Sequence, residues 1–231
     1  MRTEGKSYRV TLQGLVQGVG YRPFLYQLAL ARRLDGWVMN TGAGLNLELF
    51  RVTPLQLDEL LTAIPARQPK GAILQQVQVE EIAEQPCDGF TIRESQAADI
   101  ATRIPLDIAP CSDCSQELFD PTARRYQYPF ISCSSCGPRY TILQELPFDR
   151  RHTTLQDFPL CAACQQEYTD PADRRFHAQT ISCPDCGPVL TLMHPWGRSG
   201  PEGREAIAEA ARLLLEGAIL AIKGLGGYEL A

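Results

Sequence analysis

The chain has 231 residues, 44% of them hydrophobic and 21% charged, the composition of a globular protein of one to three domains. Lys and Arg total 22 against 27 Asp and Glu, a formal charge of −5, which argues against a general nucleic-acid binder. No apolar segment follows the first residues and no run approaches 18 apolar residues, so neither a secretory signal nor a membrane span is predicted, and a cytoplasmic protein is expected.

From residue 7 to about 93, strand-like and helix-like patterns alternate. Tyr8–Gln13 alternates faces as a strand. Pro23 suits the first turn of a helix whose face carries Phe24, Leu25, Leu28 and Ala31. Trp37–Met39 and Leu45–Phe50 read as strands around a Gly-rich turn. Leu57, Leu60, Leu61 and Ile64 define a second helix, starting near Pro54 and expected to end before Pro65. Val77–Ile82 alternates again. The order β-α-β-β-α-β predicts an α+β, ferredoxin-like sandwich. Cys87 stands alone and is expected to be a small buried or half-buried apolar residue rather than a reactive one.

The other eight cysteines form Cys-x-x-Cys pairs in an internal repeat between about 105 and 192. Cys111 and Cys114 are followed by Glu117, Asp120-Pro121, Arg124-Arg125, then Cys133 and Cys136 with Gly137-Pro138. Fifty residues later come Cys161 and Cys164, Glu167, Asp170-Pro171, Arg174-Arg175, then Cys183 and Cys186 with Gly187-Pro188. Each unit spaces its two pairs by 18 residues, which suits a zinc-ribbon-like module in which four thiolates hold one structural zinc with no open position. Two zinc ions are expected, paired within the repeats; pairing across them would need knuckles of different repeats to meet, which the spacing does not forbid. Gly137 and Gly187 are expected at positive φ. His152, His177 and His194 are not needed as ligands, and His177 is read as a solvated or satisfied residue. The stretches Glu94–Arg103 and Pro195–Gly203 read as linkers.

The segment Gly14–Phe24 joins a strand to a helix N-terminus. Its glycines let backbone N–H groups converge, the helix end adds partial positive charge, and Arg22 offers a fork-shaped cation. An anion site and a plain Gly-rich turn with a surface Arg fit this spacing equally well.

Val16-Gln-Gly-Val-Gly-Tyr-Arg22 resembles the first acylphosphatase signature, and Gly36-Trp-Val-Met-Asn40, continuing to Gly44, resembles the second. The resemblance implies a phosphate-binding loop of Gln17, Gly18, Val19, Gly20, Tyr21 and Arg22. It also implies that Arg22 and Asn40 are catalytic, Asn40 by positioning the attacking water. Asn46 and Val52 depart from the second signature and bear on the register of the third strand. The order of parts, with Lys223-Gly-Leu-Gly-Gly-Tyr228 after the cysteine modules, resembles the HypF family, the carbamoyltransferases of NiFe hydrogenase maturation. That resemblance implies carbamoyl phosphate as substrate and HypE as the partner whose C-terminal cysteine is carbamoylated. It implies ATP and Mg only for the complete enzyme. Residues 203–231, with a helix over Ala206–Gly217 and a strand over Ala218–Lys223, then form the opening of a YrdC-like domain. Binding of double-stranded RNA or DNA in the YrdC manner is not expected. A chain ending at Ala231 is expected to carry the first reaction site and the zinc modules, not the full transfer. The rivals are a non-enzymatic zinc-ribbon interaction protein and a free-standing acylphosphatase with a zinc-binding interaction module.

Overall fold

Five strands make one sheet in the order β4-β1-β3-β2-β5, and two helices cover one of its faces. The computed structural model describes residues 5–96, 102–224 and 226–231, apart from the Trp196 side chain. The strands are β1 (Lys6–Leu15), β2 (Asp35–Thr41), β3 (Gly44–Val52), β4 (Ile73–Ile82) and β5 (Phe90–Ile92); the helices are α1 (Tyr21–Leu30) and α2 (Pro54–Arg67). The first four strands pair antiparallel. β5, which the sequence pattern did not suggest because it is only three residues long, joins the far edge parallel to β2.

The core lies between sheet and helices. Val10, Leu12, Val38, Leu45, Leu47 and Leu49 are almost wholly buried against Tyr21, Leu25, Leu28, Ala29, Leu60 and Ile64. The buried face of α1 therefore differs from the expected one, because Ala31 lies past the helix end and is exposed. α2 starts in a reciprocal capping box, with Thr53 N–H donating to Gln56 Oε1 and Gln56 N–H donating to Thr53 Oγ1. It runs through Pro65 rather than ending before it. So close to the C-terminus, proline costs the helix only one intrahelical donor. Asn46 and Val52 do not disturb β3. The register to β2 is continuous from Asp35↔Phe50 to Thr41↔Gly44, Asn46 Oδ1 accepts from Thr11 Oγ1, and Val52 is buried. On the opposite face, Cys87 is half-buried against Trp37, Met39 and Phe50.

The cysteine repeats fold around α3 (Ser112–Phe119) and α4 (Ala162–Thr169), each beginning one residue after its first cysteine. They clasp each other by the same contacts in both directions. Arg125, 1% exposed, donates to Glu167 Oε2 at 2.5 Å and to the Ser182 carbonyl at 2.7 Å. Its counterpart Arg175 donates to Glu117 Oε2 at 2.6 Å and to the Ser132 carbonyl at 3.0 Å. Ser132 Oγ donates to Thr180 O and Ser182 Oγ to Phe130 O. This is the self-complementary contact of a two-fold dimer, made within one chain. Burial works to raise the Glu167 pKa, but Arg125 and Arg124 outweigh it and hold the carboxyl down at about 2.

The stretch Pro195–Gly203, expected to be a linker, forms the turn and the second arm of a hairpin. β6 (Thr191–Met193) pairs with β7 (Ser199–Glu202), because Gly197 at φ 77 permits the reversal between them. α5 (Gly203–Leu215), β8 (Ala221–Lys223) and β9 (Tyr228–Leu230) follow. No helix among the described residues is long and apolar enough to cross a membrane.

Residues 97–101, half of the other expected linker, lie outside the described residues. Its flanks are tied down: Gln96 N–H donates to Asn40 O and Thr102 N–H to Gly42 O. Across the join, the Tyr26 ring of α1 packs at a tilt against Phe176, centroids 5.0 Å apart, and Gln27 donates to the Pro171 carbonyl.

Two outcomes follow. Proteolysis within residues 94–103 should give a fragment of about 93 residues that co-elutes with the remainder on gel filtration, because noncovalent contacts span the join. Arg175→Ala should lower unfolding stability by about 1–3 kcal/mol, since it leaves the buried Ser132 carbonyl without its donor and takes one of three arginines from Glu117; thermal or denaturant unfolding reads this.

Candidate active site and metal centres

Each metal set assembles from one repeat. Sγ atoms of Cys111, Cys114, Cys133 and Cys136 lie within 4.8 Å of one another, and so do those of Cys161, Cys164, Cys183 and Cys186. Pairing is thus within the repeats. Sγ–Sγ separations are 3.7 Å for Cys111–Cys133 and Cys133–Cys136, and 3.6 Å for Cys183–Cys186 and Cys164–Cys186. Those distances are far too long for disulfides. They match the edge of a tetrahedron with metal–sulfur bonds of about 2.3 Å, an edge of about 3.8 Å. The two sets fit two structural zinc ions.

A zinc with four thiolates carries a net charge of −2 in a small, poorly hydrated module. The compensating cations come from the sister repeat. Arg174 Nη1 donates to Cys114 Sγ at 3.2 Å, while Arg124 and Arg125 donate to Cys164 Sγ at 3.5 and 3.4 Å. Gly137 sits at φ 102 as expected, but Gly187 does not have positive φ. Its constraint is steric, since a Cβ there would lie 2.1 Å from Tyr128 Oη.

The glycine loop sits at the end of β1. Gly18 and Gly20 adopt φ 70 and 81, and Gly20 is the N-cap of α1. The buried Gln17 side chain is fully used: Nε2 donates to Thr41 O and Gly44 O, and Oε1 accepts from Phe148 N–H at 3.0 Å. It braces the loop, so only its backbone is free for an anion. Val19 and Tyr21 point into the core, where burial pushes the Tyr21 phenol up to about 12.

Arg22 and Asn40 come from different elements and meet at one atom. Arg22 Nη2 and Asn40 Nδ2 each donate to the Phe148 carbonyl at 3.2 Å. Arg22 Nη2 also reaches Asp149 Oδ1 at 2.7 Å, and its Nη1 donates to Ser95 Oγ at 3.3 Å. Because Phe148 O can only accept, the Asn40 amide is oriented with Oδ1 turned elsewhere. That buried oxygen has no hydrogen-bond partner among the described residues.

The metal region supplies the opposite wall. A small inner cavity of about 30 Å³, room for roughly two waters, is lined by Gln17, Gly18, Arg22 and Asn40 on one side and by Arg139, Phe148 and His177 on the other. Arg139, 1% exposed, donates to the carbonyls of Gly18, Cys133 and Cys136. His177 is half-buried and edge-on to Phe176, not solvated. Burial, then repulsion from Arg22, push its pKa down to about 4, with Asp149 opposing, so the ring is neutral near pH 7. A wider outer cavity, about 280 Å³, shares Arg22 and His177 with the inner one and adds Arg93, Asp149 and Arg151.

The structure brings together Arg22, Asn40 and the glycine loop, which the sequence pattern singles out, and sets beside them Arg139, Phe148 and Asp149, which it does not. One signal existed: the repeats depart where Arg139 aligns with Val189. Phe148 and Asp149 lie between the repeats, where no periodicity marks them.

The fold and site define a class: an acylphosphatase-type sandwich joined to a pair of four-cysteine modules. The acylphosphatase family matches residues 8–92, and the HypF finger family matches 111–143 and 160–193. The chain is 50% identical to carbamoyltransferase HypF2 of Cupriavidus necator, over 96% of this chain and 28% of that relative. It is 33% identical to an acylphosphatase of Caldivirga maquilingensis, over 38% of this chain and 95% of that one. A crystal structure of full-length HypF in a phosphate- and nucleotide-bound form superposes with a TM-score of 0.89 at 36% identity, covering 97% of this chain and 29% of that one. The chain belongs to the HypF family, and it spans under a third of the length of the HypF relatives it matches.

Metal analysis should find two zinc ions per chain. Arg174→Ala should weaken zinc retention at the first site, not the second, by about 10–100-fold, the usual cost of losing a group that supports a metal ligand; chelator competition followed by elemental analysis measures it.

Proposed function

We propose that the first domain hydrolyses a small acyl phosphate, carbamoyl phosphate being the physiological substrate. The observation that carries this reading is the pairing of Arg22 with an Asn40 whose Oδ1 is buried and unpartnered beside the glycine loop. Arg22 and the N–H groups of residues 17–22 would hold the phosphoryl oxygens. Asn40 Oδ1 would accept a hydrogen bond from the attacking water and aim it at phosphorus. Water oxygen bonds to phosphorus, the bond to the acyl oxygen breaks, and phosphate and the acyl carboxylate leave. No covalent intermediate forms. The work is positioning and charge stabilisation. The inner cavity must widen to admit this substrate, since about 30 Å³ does not hold a phosphoryl group.

In the complete protein, the product of this step would be activated with ATP and Mg and passed to the C-terminal cysteine of HypE, giving the precursor of the cyanide ligand of NiFe hydrogenase. The segment from residue 203 would open the YrdC-like domain, with 7–93 and 105–192 as the preceding domains. The zinc ions would be structural, because four thiolates leave no open coordination position. A cytoplasmic setting suits reduced cysteines.

Phosphate release from carbamoyl phosphate and binding of inorganic phosphate test the assignment. Arg22→Ala should damage both. Asn40→Ala should leave binding close to the parent and lower release by about 10²–10³-fold. Parental release rates in both variants would refute the site.

A further inference from the structure

We infer that Asp149, from the loop between the two metal modules, is a positioning residue for the acyl-phosphate site. It holds the Arg22 guanidinium with one edge turned to the glycine loop. The inference rests on the acyl-phosphate reading above.

The argument starts from the donors of Arg22. Its guanidinium has five N–H groups in a rigid plane. Nη2 is committed to Asp149 Oδ1 at 2.7 Å and to the Phe148 carbonyl, and Nη1 to Ser95 Oγ. Nε makes no hydrogen bond with a described residue. The side chains of Arg22 and Asp149 are 9% and 12% exposed. An ion pair this buried is a poor source of stability, because desolvation of both charges offsets most of the attraction. What it does provide is a fixed plane and rotamer for the cation.

The cavities show which edge is gripped. Arg22 lines both the inner and the outer cavity, whereas Asp149 lines only the outer one. The carboxylate thus meets Nη2 from the outer cavity, while Nε is uncommitted among the described residues and Arg22 also borders the inner cavity beside the glycine loop. The next residue back, Phe148, fixes the other catalytic candidate by accepting from Asn40. Two consecutive residues of the metal region thus orient both groups. The acylphosphatase of Caldivirga maquilingensis aligns with 90 residues of this chain, 95% of its own length, and so has no counterpart of this loop. The same contact would also be made by a carboxylate standing in the phosphoryl position, and the experiment separates the two.

Inorganic phosphate binding by calorimetry and phosphate release from carbamoyl phosphate are measured on the full chain. The variants are Asp149→Asn, Asp149→Glu, Arg22→Ala and Arg22→Ala/Asp149→Asn, with zinc content as a folding control. Asp149→Asn keeps the shape and loses the charge. It should weaken phosphate binding and lower kcat/KM about 10–100-fold with two zinc ions retained. Asp149→Glu should stay nearer the parent. In the Arg22→Ala background the same change should have no further effect, because Asp149 acts through Arg22. Tighter phosphate binding in Asp149→Asn would overturn the proposal, since the carboxylate would then be a competitor. An undiminished loss in the Arg22→Ala background would overturn it as a general structural effect. If Asp149→Asn does not fold, a Glu variant no better than Arg22→Ala at binding phosphate overturns it. If Arg22→Ala and Asn40→Ala abolish release while Asp149→Asn changes neither readout, this inference alone fails. If those two variants release phosphate normally, the acyl-phosphate reading fails as well.

Discussion

Each four-cysteine module is too small to fold on apolar burial, and the charge left on its metal centre is what ties it to its twin. Four thiolates around a dication leave two negative charges, and arginines of the opposite repeat face them: Arg174 donates to Cys114, and Arg124 and Arg125 donate to Cys164. Because these arginines come from the other repeat, neither module is complete alone. The two become one body, with Arg125 and Arg175 buried at its centre. That body fixes where the loop between the repeats emerges, and the loop carries Phe148 and Asp149 onto the glycine loop of the first domain. The metal centres thus act on the proposed reaction site indirectly, through the placement of one loop.

Much of this was legible in the chain. The fifty-residue offset between the repeats gave the metal sets, and the duplicated arginine pairs were visible, though not their purpose. The contacts they make across the repeats, Arg174 with Cys114 and Arg124 with Cys164, have no sequence signature. Strand alternation and Gly18, Gly20, Arg22 and Asn40 outlined the first domain. β5 was invisible because three residues carry no period. α2 runs two residues past Pro65, beyond the end that proline marks in the sequence, because only the last turn of the helix has to accommodate the ring. The burial of His177 has no sequence signature either, since it lines a cavity formed with residues of the first domain.

The geometry of the glycine loop also depends on both sides of the join. Gly20 approaches Ser134 so closely that a Cβ would lie 3.3 Å from its carbonyl oxygen, and a Cβ on Gly18 would lie 3.2 Å from Arg139 Cδ. Positive φ explains the two glycines within the first domain. The approach of the metal region supplies a second, independent reason for them.

The charge count around the site limits how a phosphate can be held. Arg22 and Arg139 contribute two positive charges, Asp149 removes one, and His177 adds none near pH 7 because its pKa is pushed down to about 4. Arg139 spends its donors on backbone carbonyls of the loop and the second knuckle, so it contributes field rather than a contact. A dianionic acyl phosphate is therefore not neutralised by side chains alone. The remainder must come from the backbone N–H groups of residues 17–22 and the N-terminal end of α1, which converge only with Gly18 and Gly20 at positive φ. In the proposed reaction, side-chain charge would orient the acyl phosphate, and the backbone loop would carry most of the burden of holding it.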